Sequence, residues 1–565
     1  MFATRRIKSD VPPSAESAAS QAAVRSSLVD PIAEPPDMRL LALADPQFCI
    51  RYSLLPWRAF GDTTVLLGTD LTLAQEQPEM VEARFGRFIL LKADGEKLWT
   101  FLLETFRSNL AYDAETTLDE ADSCRTWRSK RAAVFALVAC SLGILCAVFF
   151  PLLTFGIAFG WVVLILLLGT ALKPCSLCQK ANPQENLGLA LRDDELPTIS
   201  LLVPLFREAD MTGPLTSRLT KLDYPRGKLD LCFVVEDDDL VTKSSISKQK
   251  LPDWMRVIEA PKGKLRTKPR ALNYALNFVS GSIVGVYDAE DAPESDQLRH
   301  VAETFARADP DVACVQGRLD YYNASGNWLS RCFTLEYASW FRVILPGYAK
   351  MGLLVPLGGT TLFFCRDTLN ELGSWDAHNV TEDADLGVRL ARHGYRTVFM
   401  PSVTNEEANA RAWPWIKQRS RWLKGYAVTY AVHMRRPLEL FRQLGAWRFF
   451  GFQVLFLGTL SQFLLAPLLW TVVVIPFGLP HPLFSLLSGS QFVALTAIFL
   501  LSTCVNLAAN CIGAHRAGKS WLMKWAPTMV FYFPLATLGA LKGLSELFWR
   551  PFFWDKTAHG IELSR

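Results

Sequence analysis

Acidic side chains recur in this sequence at the ends of short apolar runs. Glu208 lies just beyond "TISLLVPLF", Glu236–Asp239 follow "LDLCFVV", and Asp288, Glu290 and Asp291 follow "SIVGVY". Burying a carboxylate unpaired is costly, so such acids are stable together only where they hold a divalent cation or face cationic groups. Mg2+ and Mn2+ take oxygen ligands and are often bound by one or two carboxylates plus substrate phosphates. "DAED" sets Asp288 and Glu290 two apart, on one side of an extended chain. It reads as a metal–diphosphate site, or alternatively as solvated loop acids. A second acidic motif, "TED" (Thr381–Asp383), precedes an amphipathic run through Leu386, Val388 and Leu390. There a helix N-cap is one reading.

These acids need a scaffold. From Leu196 onward, continuous apolar runs alternate with helical stretches such as Arg270–Val279. Runs of that kind suit parallel strands buried on both faces, so the pattern predicts an α/β domain with a mostly parallel sheet. Ligands in such sheets bind outside the carboxyl ends of the strands, where the acids lie.

Four uncharged runs flank this part: Ala132–Phe150, Leu152–Leu172, Gly451–Leu479 and Gln491–Gly513. Each approaches or exceeds the roughly 20 residues needed to cross a bilayer core of about 30 Å. This predicts an integral membrane protein. Trp525–Leu541 is shorter, and Pro534 interrupts it. Arg125, Arg128, Lys130 and Arg131 precede the first span, Lys173 and Lys180 follow the second, and Arg435, Arg436, Arg442 and Arg448 precede the third. By the positive-inside rule these flanks, and the segment near 185–440 between them, are cytoplasmic. A net charge of +4 gives no sign of nucleic-acid binding. The 12 cysteines are scattered without a disulfide framework, and Cys175 and Cys178 form a lone CxxC with no second pair for zinc. Between "TED" and the third span lies "WPWIKQRSRWLKGYAVTY" (Trp413–Tyr430), dense in aromatic and cationic side chains. Its flanks read as an interfacial helix with rings at headgroup depth.

"VPLFRE", "EDDD", "KPRALN", "DAED", "TED" and "QRSRW" occur in that order. Together they closely resemble the family 2 glycosyltransferases, membrane-embedded inverting enzymes with a GT-A fold, and most of all the cellulose- and hyaluronan-synthase-like β-glycan synthases. The resemblance covers about 185–440 and continues into the flanking spans. It implies an α/β GT-A catalytic domain, an α-helical transmembrane bundle and a small α+β N-terminal domain. By the same resemblance Phe206 stacks on the nucleotide base, Glu208 and Asp237 contact the nucleoside, and Lys268 lies near the diphosphate. Asp288 and Glu290 hold Mg2+ or Mn2+, with Glu in place of the family's second Asp. Asp383 is the general base. Glu382, Gln418, Arg421 and Trp422 serve the acceptor and the diphosphate, and "PLGGTTLFF" (Pro356–Phe364) forms the acceptor-side loop. The tail "FFWDKTAHG" resembles a gating loop whose contacts would be Lys556, Thr557 and His559. A cytoplasmic tail requires Trp525–Phe548 to be re-entrant or interfacial.

The chemistry suits these roles. A carboxylate within hydrogen-bond reach takes the proton of an acceptor hydroxyl as the new bond forms. A metal stabilises charge growing on the leaving diphosphate. Arginine donates two bonds at once to phosphate.

The expected organisation is a disordered N-terminus (1–30), a small accessory domain (31–125), a transmembrane hairpin (131–173), the catalytic domain (185–411), interfacial helices (412–448), a transmembrane or re-entrant region (449–548) and a gating-like tail (549–565). The accessory domain weakly resembles the N-terminal domain of type II secretion ATPases. The Arg/Leu/Gly-rich repeat with which some relatives bind cyclic di-GMP is not visible, so regulation by that nucleotide has no sequence support. The resemblance implies a UDP-sugar donor, UDP-glucose by analogy, and a growing β-glycan exported through the protein's own spans, possible export partners lying in the envelope of a bacterial inner membrane. Two alternatives stay open: addition of one sugar to a membrane lipid, and a catalytically silent transport or regulatory subunit.

Overall fold

The computed structural model describes residues 28–69, 78–177 and 191–555. The expected disordered N-terminus up to residue 27, Cys178, Lys180 and the gating residues Lys556, Thr557 and His559 lie outside them.

The chain divides into two units, Met1–Leu110 and Ala111–Arg565. In the first, β1 (Leu54–Phe60) turns through Gly61 and Asp62 into antiparallel β2 (Thr63–Gly68), which pairs in parallel with β3 (Arg87–Lys92). The helices Pro46–Tyr52 and Pro78–Phe85 supply Phe48 and Val81 to a core with Leu54 and Leu66. This is the α+β arrangement expected of the N-terminal part. The division falls before residue 125, the expected boundary. The end of the helix Gly95–Thr116 is tied into the second unit, where Asn273 Nδ2 donates to the Ala114 carbonyl (3.0 Å).

In the second unit the apolar runs become β4 (Ile199–Leu205), β5 (Leu229–Glu236), β6 (Met255–Ala260) and β7 (Ile283–Val286), all mutually parallel. They are joined by β8 (Ala292–Pro293), β9 (Val312–Tyr321), β10 (Leu362–Cys365) and β11 (Arg396–Glu406), in the order β6-β5-β4-β7-β10-β9-β11-β8. Leu201, Phe233 and Phe363 are fully buried in this sheet's core. Burial of each such side chain contributes about 2 kcal/mol. The sheet is mostly parallel, as the apolar runs predict, with two reversed strands: β10 runs antiparallel to both β7 and β9, and β8 antiparallel to β11. An apolar run carries no mark of direction. The direction of β10 follows from the long helical excursion Trp328–Lys350, after which the chain re-enters the sheet at the end where β9 left it and runs back along β9.

Four helical segments among the described residues are long and apolar enough to cross a membrane: Ser129–Phe149, Pro151–Leu177, Pro437–Phe477 and Gly489–Arg516. They fall on the four uncharged runs, and this is a membrane protein. The third begins well before its apolar run and breaks at Gly445 (φ 70°, ψ 171°). The segment around Pro534 is a chain of short helices, the longest being Pro534–Glu546 with 13 residues. At 1.5 Å per residue that is about 20 Å, short of a bilayer core of about 30 Å. It packs along the helix Ala412–His433 that carries "QRSRW".

Candidate functional site

The acids gather at the carboxyl ends of the strands because each loop is tied to its neighbour. Beyond β4, Arg207 adopts a left-handed conformation (φ 54°), and its N–H donates to Asp239 Oδ2 (2.5 Å) beyond β5. The Glu208 N–H donates to Thr242 Oγ1 (3.0 Å). Phe206 is half-buried, with the Arg207 guanidinium 5.2 Å from its ring centre. The Asp237 N–H donates to the Ala260 carbonyl (2.9 Å), and Asp238 pairs with Arg266. Phe206, Glu208 and Asp237 thus lie on neighbouring, mutually tied loops at the carboxyl ends of β4 and β5.

Lys268 opens the helix Lys268–Leu276. Its Nζ donates to Asp288 Oδ1 (2.5 Å) and to the Gly359 carbonyl (2.8 Å). Burial disfavours the charge on Lys268, but Asp288, Glu382 and Asp383 outweigh it and hold the ammonium protonated. Gly359 has φ 84°, a conformation open to glycine. A Cβ there would lie 3.2 Å from Asp383 Oδ2, so the loop backbone runs directly past that carboxyl. The loop is held from below by Gln316 of β9, whose Oε1 accepts the Gly358 N–H (2.9 Å) and whose Nε2 donates to the Thr360 carbonyl (3.1 Å).

Asp383 is not the helix N-cap that its position allowed. Thr381 occupies that place before the helix Glu382–Arg392, and Asp383 lies inside the first turn. Burial raises the Asp383 pKa, while the Ala384 N–H, Lys268 and Arg421 pull it down. Burial and the Asp383 charge push Glu382 up to about 8 against Lys268 and Arg421. Two adjacent buried carboxyls do not both ionise readily, so the charge on one favours the proton on the other.

A second acidic group lies beside Asp288. Asp291 is fully buried, and one of its oxygens accepts the Asp288 N–H (2.8 Å) and the Thr360 hydroxyl. Its other oxygen has no hydrogen-bond partner among the described residues. Burial, then Asp288 and Glu290, raise its pKa far above the usual carboxylate range. Glu406, at the end of β11, is raised in the same way by burial and by Asp291, Glu290 and Asp288. Among the described residues no three His, Cys, Asp or Glu side chains already form a metal-ligand group. The mutual repulsion of these carboxyls and the unpartnered Asp291 oxygen nevertheless fit a divalent cation shared with substrate phosphates. Glu406 was not singled out in the sequence. Its "NEE" sits in a polar loop-like stretch, and only the sheet brings it to the "DAED" end.

The helix Ala412–His433 closes the other side. A Cβ on Gly425 would lie 2.1 Å from Thr381 Oγ1, so this glycine lets the helix touch the "TED" turn. Gly425→Ala is expected to push the two apart, costing about 1–3 kcal/mol. Thermal unfolding would show this, together with a fall in turnover; unchanged values for both would refute the contact's importance. Gln418 Oε1 accepts from Asn409 Nδ2 (2.9 Å). The Arg421 guanidinium lies 4.4 Å from the Trp554 ring centre, and its charge acts on both Glu382 and Asp383. Trp422 lies 6.2 Å from Tyr337 at 30° between planes, with the Arg419 guanidinium 4.6 Å from its ring centre. Arg419 is fixed by Glu336 (2.6 Å), which also accepts from the Tyr532 hydroxyl (2.6 Å), itself bonded to Trp415 Nε1 (2.8 Å). Sequence reading gave no role to Glu336, Arg419 or Tyr532, although Arg419 lies inside "QRSRW" and Glu336 stands alone among apolar residues in "CFTLEYASWF".

Residues 283–535 match the family described as glycosyl transferase family group 2. Among curated proteins, the chain is 27% identical over 237 residues to the probable glycosyltransferase YdaM of Bacillus subtilis, covering 41% of this chain and 56% of that protein. It is 28% identical over 312 residues to a beta-monoglucosyldiacylglycerol synthase of Synechocystis, covering 52% of this chain and 63% of that one. It is 26% identical over 236 residues to a poly-beta-1,6-N-acetyl-D-glucosamine synthase of Staphylococcus aureus, covering 41% and 55%. The matches thus span less than two thirds of these relatives' own lengths. A solved mannosyltransferase of Pyrobaculum calidifontis, in complex with GDP-Man and Mn2+, aligns at TM-score 0.42 and 20% identity over 65% of this chain and 96% of that one.

Proposed function

We infer that this chain, whose residues 283–535 carry a glycosyl transferase family group 2 domain, moves a sugar from a UDP-sugar onto an acceptor at the membrane face by a single displacement that inverts the anomeric centre. The observation that carries this reading is one junction. Lys268 Nζ joins Asp288 (2.5 Å) to the Gly359 carbonyl (2.8 Å), and the Gly359 backbone passes against Asp383. A cation for a diphosphate and a carboxyl for an acceptor hydroxyl therefore lie on two sides of one glycine.

In this reading Phe206, Glu208 and Asp237 bind the nucleoside, and Lys268 receives the diphosphate. Asp288 and Glu290, with Asp291 behind them, would hold Mg2+ or Mn2+, which supplies charge stabilisation on the leaving diphosphate. Asp383 takes the acceptor proton. Glu382 keeps its own proton and so leaves the negative charge to Asp383. Arg421 and Gln418 orient the diphosphate or the acceptor, and Trp422 offers an indole face to the C–H face of a sugar. The basic flanks of the spans support a catalytic domain on the cytoplasmic face of a bacterial inner membrane.

The processive reading, a growing β-glycan exported through the spans, draws support from the aromatic "QRSRW" helix lying against both the base turn and the short helices around Pro534. Transfer of one sugar to a lipid draws on the relative named beta-monoglucosyldiacylglycerol synthase. UDP-glucose is the donor proposed in either case. The deciding experiment is UDP release by the full chain in lipid with a panel of UDP-sugars, with product sizing and linkage-specific digestion. A long β-linked product is expected, and EDTA should stop turnover until Mg2+ or Mn2+ is restored. A mono-glycosylated lipid alone would select the second reading. No turnover with any donor would sink both and favour a silent subunit.

A pH effect follows from Glu382. Its folded pKa is raised from 4.5 to about 8, so its contribution to stability is fully present below about 4.5 and is lost as pH rises through about 8. Glu382→Gln, which has no proton to lose, should unfold at a higher temperature than the parent above pH 8 and show a flatter stability profile. Parallel profiles for the two proteins would contradict the assignment of the proton to Glu382.

A further inference from the structure

We propose that Glu115, which precedes the first span and lies outside residues 283–535, is a positioning residue for the nucleotide donor through the 261–268 loop, a role that rests on the nucleoside and diphosphate assignments of Asp237 and Lys268 proposed above. Glu115 sits in the last turn of the helix Gly95–Thr116, with its side chain 11% exposed. Its Oε1 accepts the N–H of Lys264 (2.9 Å) and the N–H of Leu265 (3.4 Å), two successive backbone donors of that loop. The same oxygen accepts from Nε of Arg270 (3.1 Å), a guanidinium with no exposed surface. Arg270 passes the contact on to Glu236 (3.4 Å), the last residue of β5, and to the Pro261 carbonyl. The packing leaves no slack, since a Cβ on Gly263 would lie 2.2 Å from Glu115 Oε1.

The loop so held spans the donor side. Arg266 pairs with Asp238 on the nucleoside wall, and Lys268, where the loop ends, pairs with Asp288 on the diphosphate wall. One carboxylate outside the motif set therefore sets the spacing between the two walls. A buried charged hydrogen-bond network of this kind loses geometry when a member is removed, because the remaining donors must find other partners. The same segment braces the base side. Ser123 Oγ donates to Asp376 Oδ1 (2.9 Å) and the Cys124 N–H to Asp376 Oδ2 (2.7 Å), on the loop leading into Thr381–Asp383. Residues 111–128 are thus built into both walls of the site, with Glu115 as the member that touches the donor loop.

The test uses the full chain in lipid nanodiscs. It compares parent, Glu115→Gln and Glu115→Ala by UDP affinity in the presence of Mn2+ and by initial rates over a range of UDP-sugar concentrations. Glu115→Gln keeps the shape and an acceptor oxygen but loses the charge, so it serves even where the alanine variant fails to fold. The expected result is a rise of about threefold in donor KM and UDP Kd for Glu115→Gln and about tenfold for Glu115→Ala, with kcat within about twofold. A brace with no bearing on the donor would lower the folded fraction, and with it the apparent kcat, and leave KM and Kd unmoved. Unmoved KM and Kd in Glu115→Gln overturn the proposal whatever happens to kcat. Absence of UDP binding and turnover in the parent would instead overturn the donor-site reading, and the role of Glu115 with it.

Discussion

Asp383→Asn is expected to lower sugar-dependent UDP release by about 1,000-fold while leaving UDP affinity near that of the parent. The size follows from the contribution of a positioned general base, about 100- to 10,000-fold. The selectivity follows from geometry. Asp383 lies across Gly359 from the diphosphate side, so its amide replacement leaves Lys268, Asp288 and the nucleoside loops in place. Asparagine is nearly isosteric and adds no volume beside the Gly359 backbone. Its neutral side chain also ends the repulsion that helps raise Glu382 to about 8, so the variant should be no less stable than the parent. Parent and variant compared in one lipid preparation decide the matter. Retained turnover would remove Asp383 from the chemistry and leave Glu382 as the carboxyl to test next.

Lys268→Met is expected to reduce kcat/KM for the donor by about 100-fold or more and to lower the unfolding temperature as well. Lysine makes two contacts at once, to Asp288 Oδ1 (2.5 Å) and to the Gly359 carbonyl (2.8 Å). Removing one partner of a fully buried ion pair costs about 3–5 kcal/mol. Asp288 is 31% exposed on its side chain, so water takes up part of that loss and the stability cost falls below this range. The kinetic loss should be the larger effect, because the ammonium is the cation proposed for the diphosphate. Lys268→Arg should rescue stability better than turnover. A planar guanidinium keeps the charge but not the compact reach to two acceptors. Full activity in Lys268→Met would show that the diphosphate is held elsewhere.

The two variants also separate the halves of the site. Asp383→Asn should change kcat and leave the donor Kd alone, whereas Lys268→Met should change both. A protein in which both variants altered only Kd would be a nucleotide-sugar binder rather than a transferase.

Much of the architecture was legible in the residues alone. An uncharged run of about 20 residues has few soluble uses, so Ala132–Phe150, Leu152–Leu172, Gly451–Leu479 and Gln491–Gly513 marked, among the described residues, the four helices long and apolar enough to cross a membrane. Continuous apolar runs ending in acids marked β4, β5 and β7, because a strand buried on both faces needs apolar side chains throughout and carboxylates must leave it where water or a cation can reach them. These signals are local, and a sequence carries local signals intact. The tertiary structure decided the rest. The direction of β10 depends on the path of the chain through the helices Trp328–Lys350, which no periodicity encodes. Gln316 under the Gly358–Thr360 loop, Glu336 beneath Trp422 through Arg419, Glu406 beside "DAED" and Glu115 on the donor loop are each brought to the site by contacts between distant parts of the chain. Their types were visible from the start, but their burial and their partners exist only once the sheet and the membrane helices have closed around them. A carboxylate acquires a role from what surrounds it: desolvation and neighbouring charge raise Glu382 to about 8, and neither can be read from the letters T-E-D.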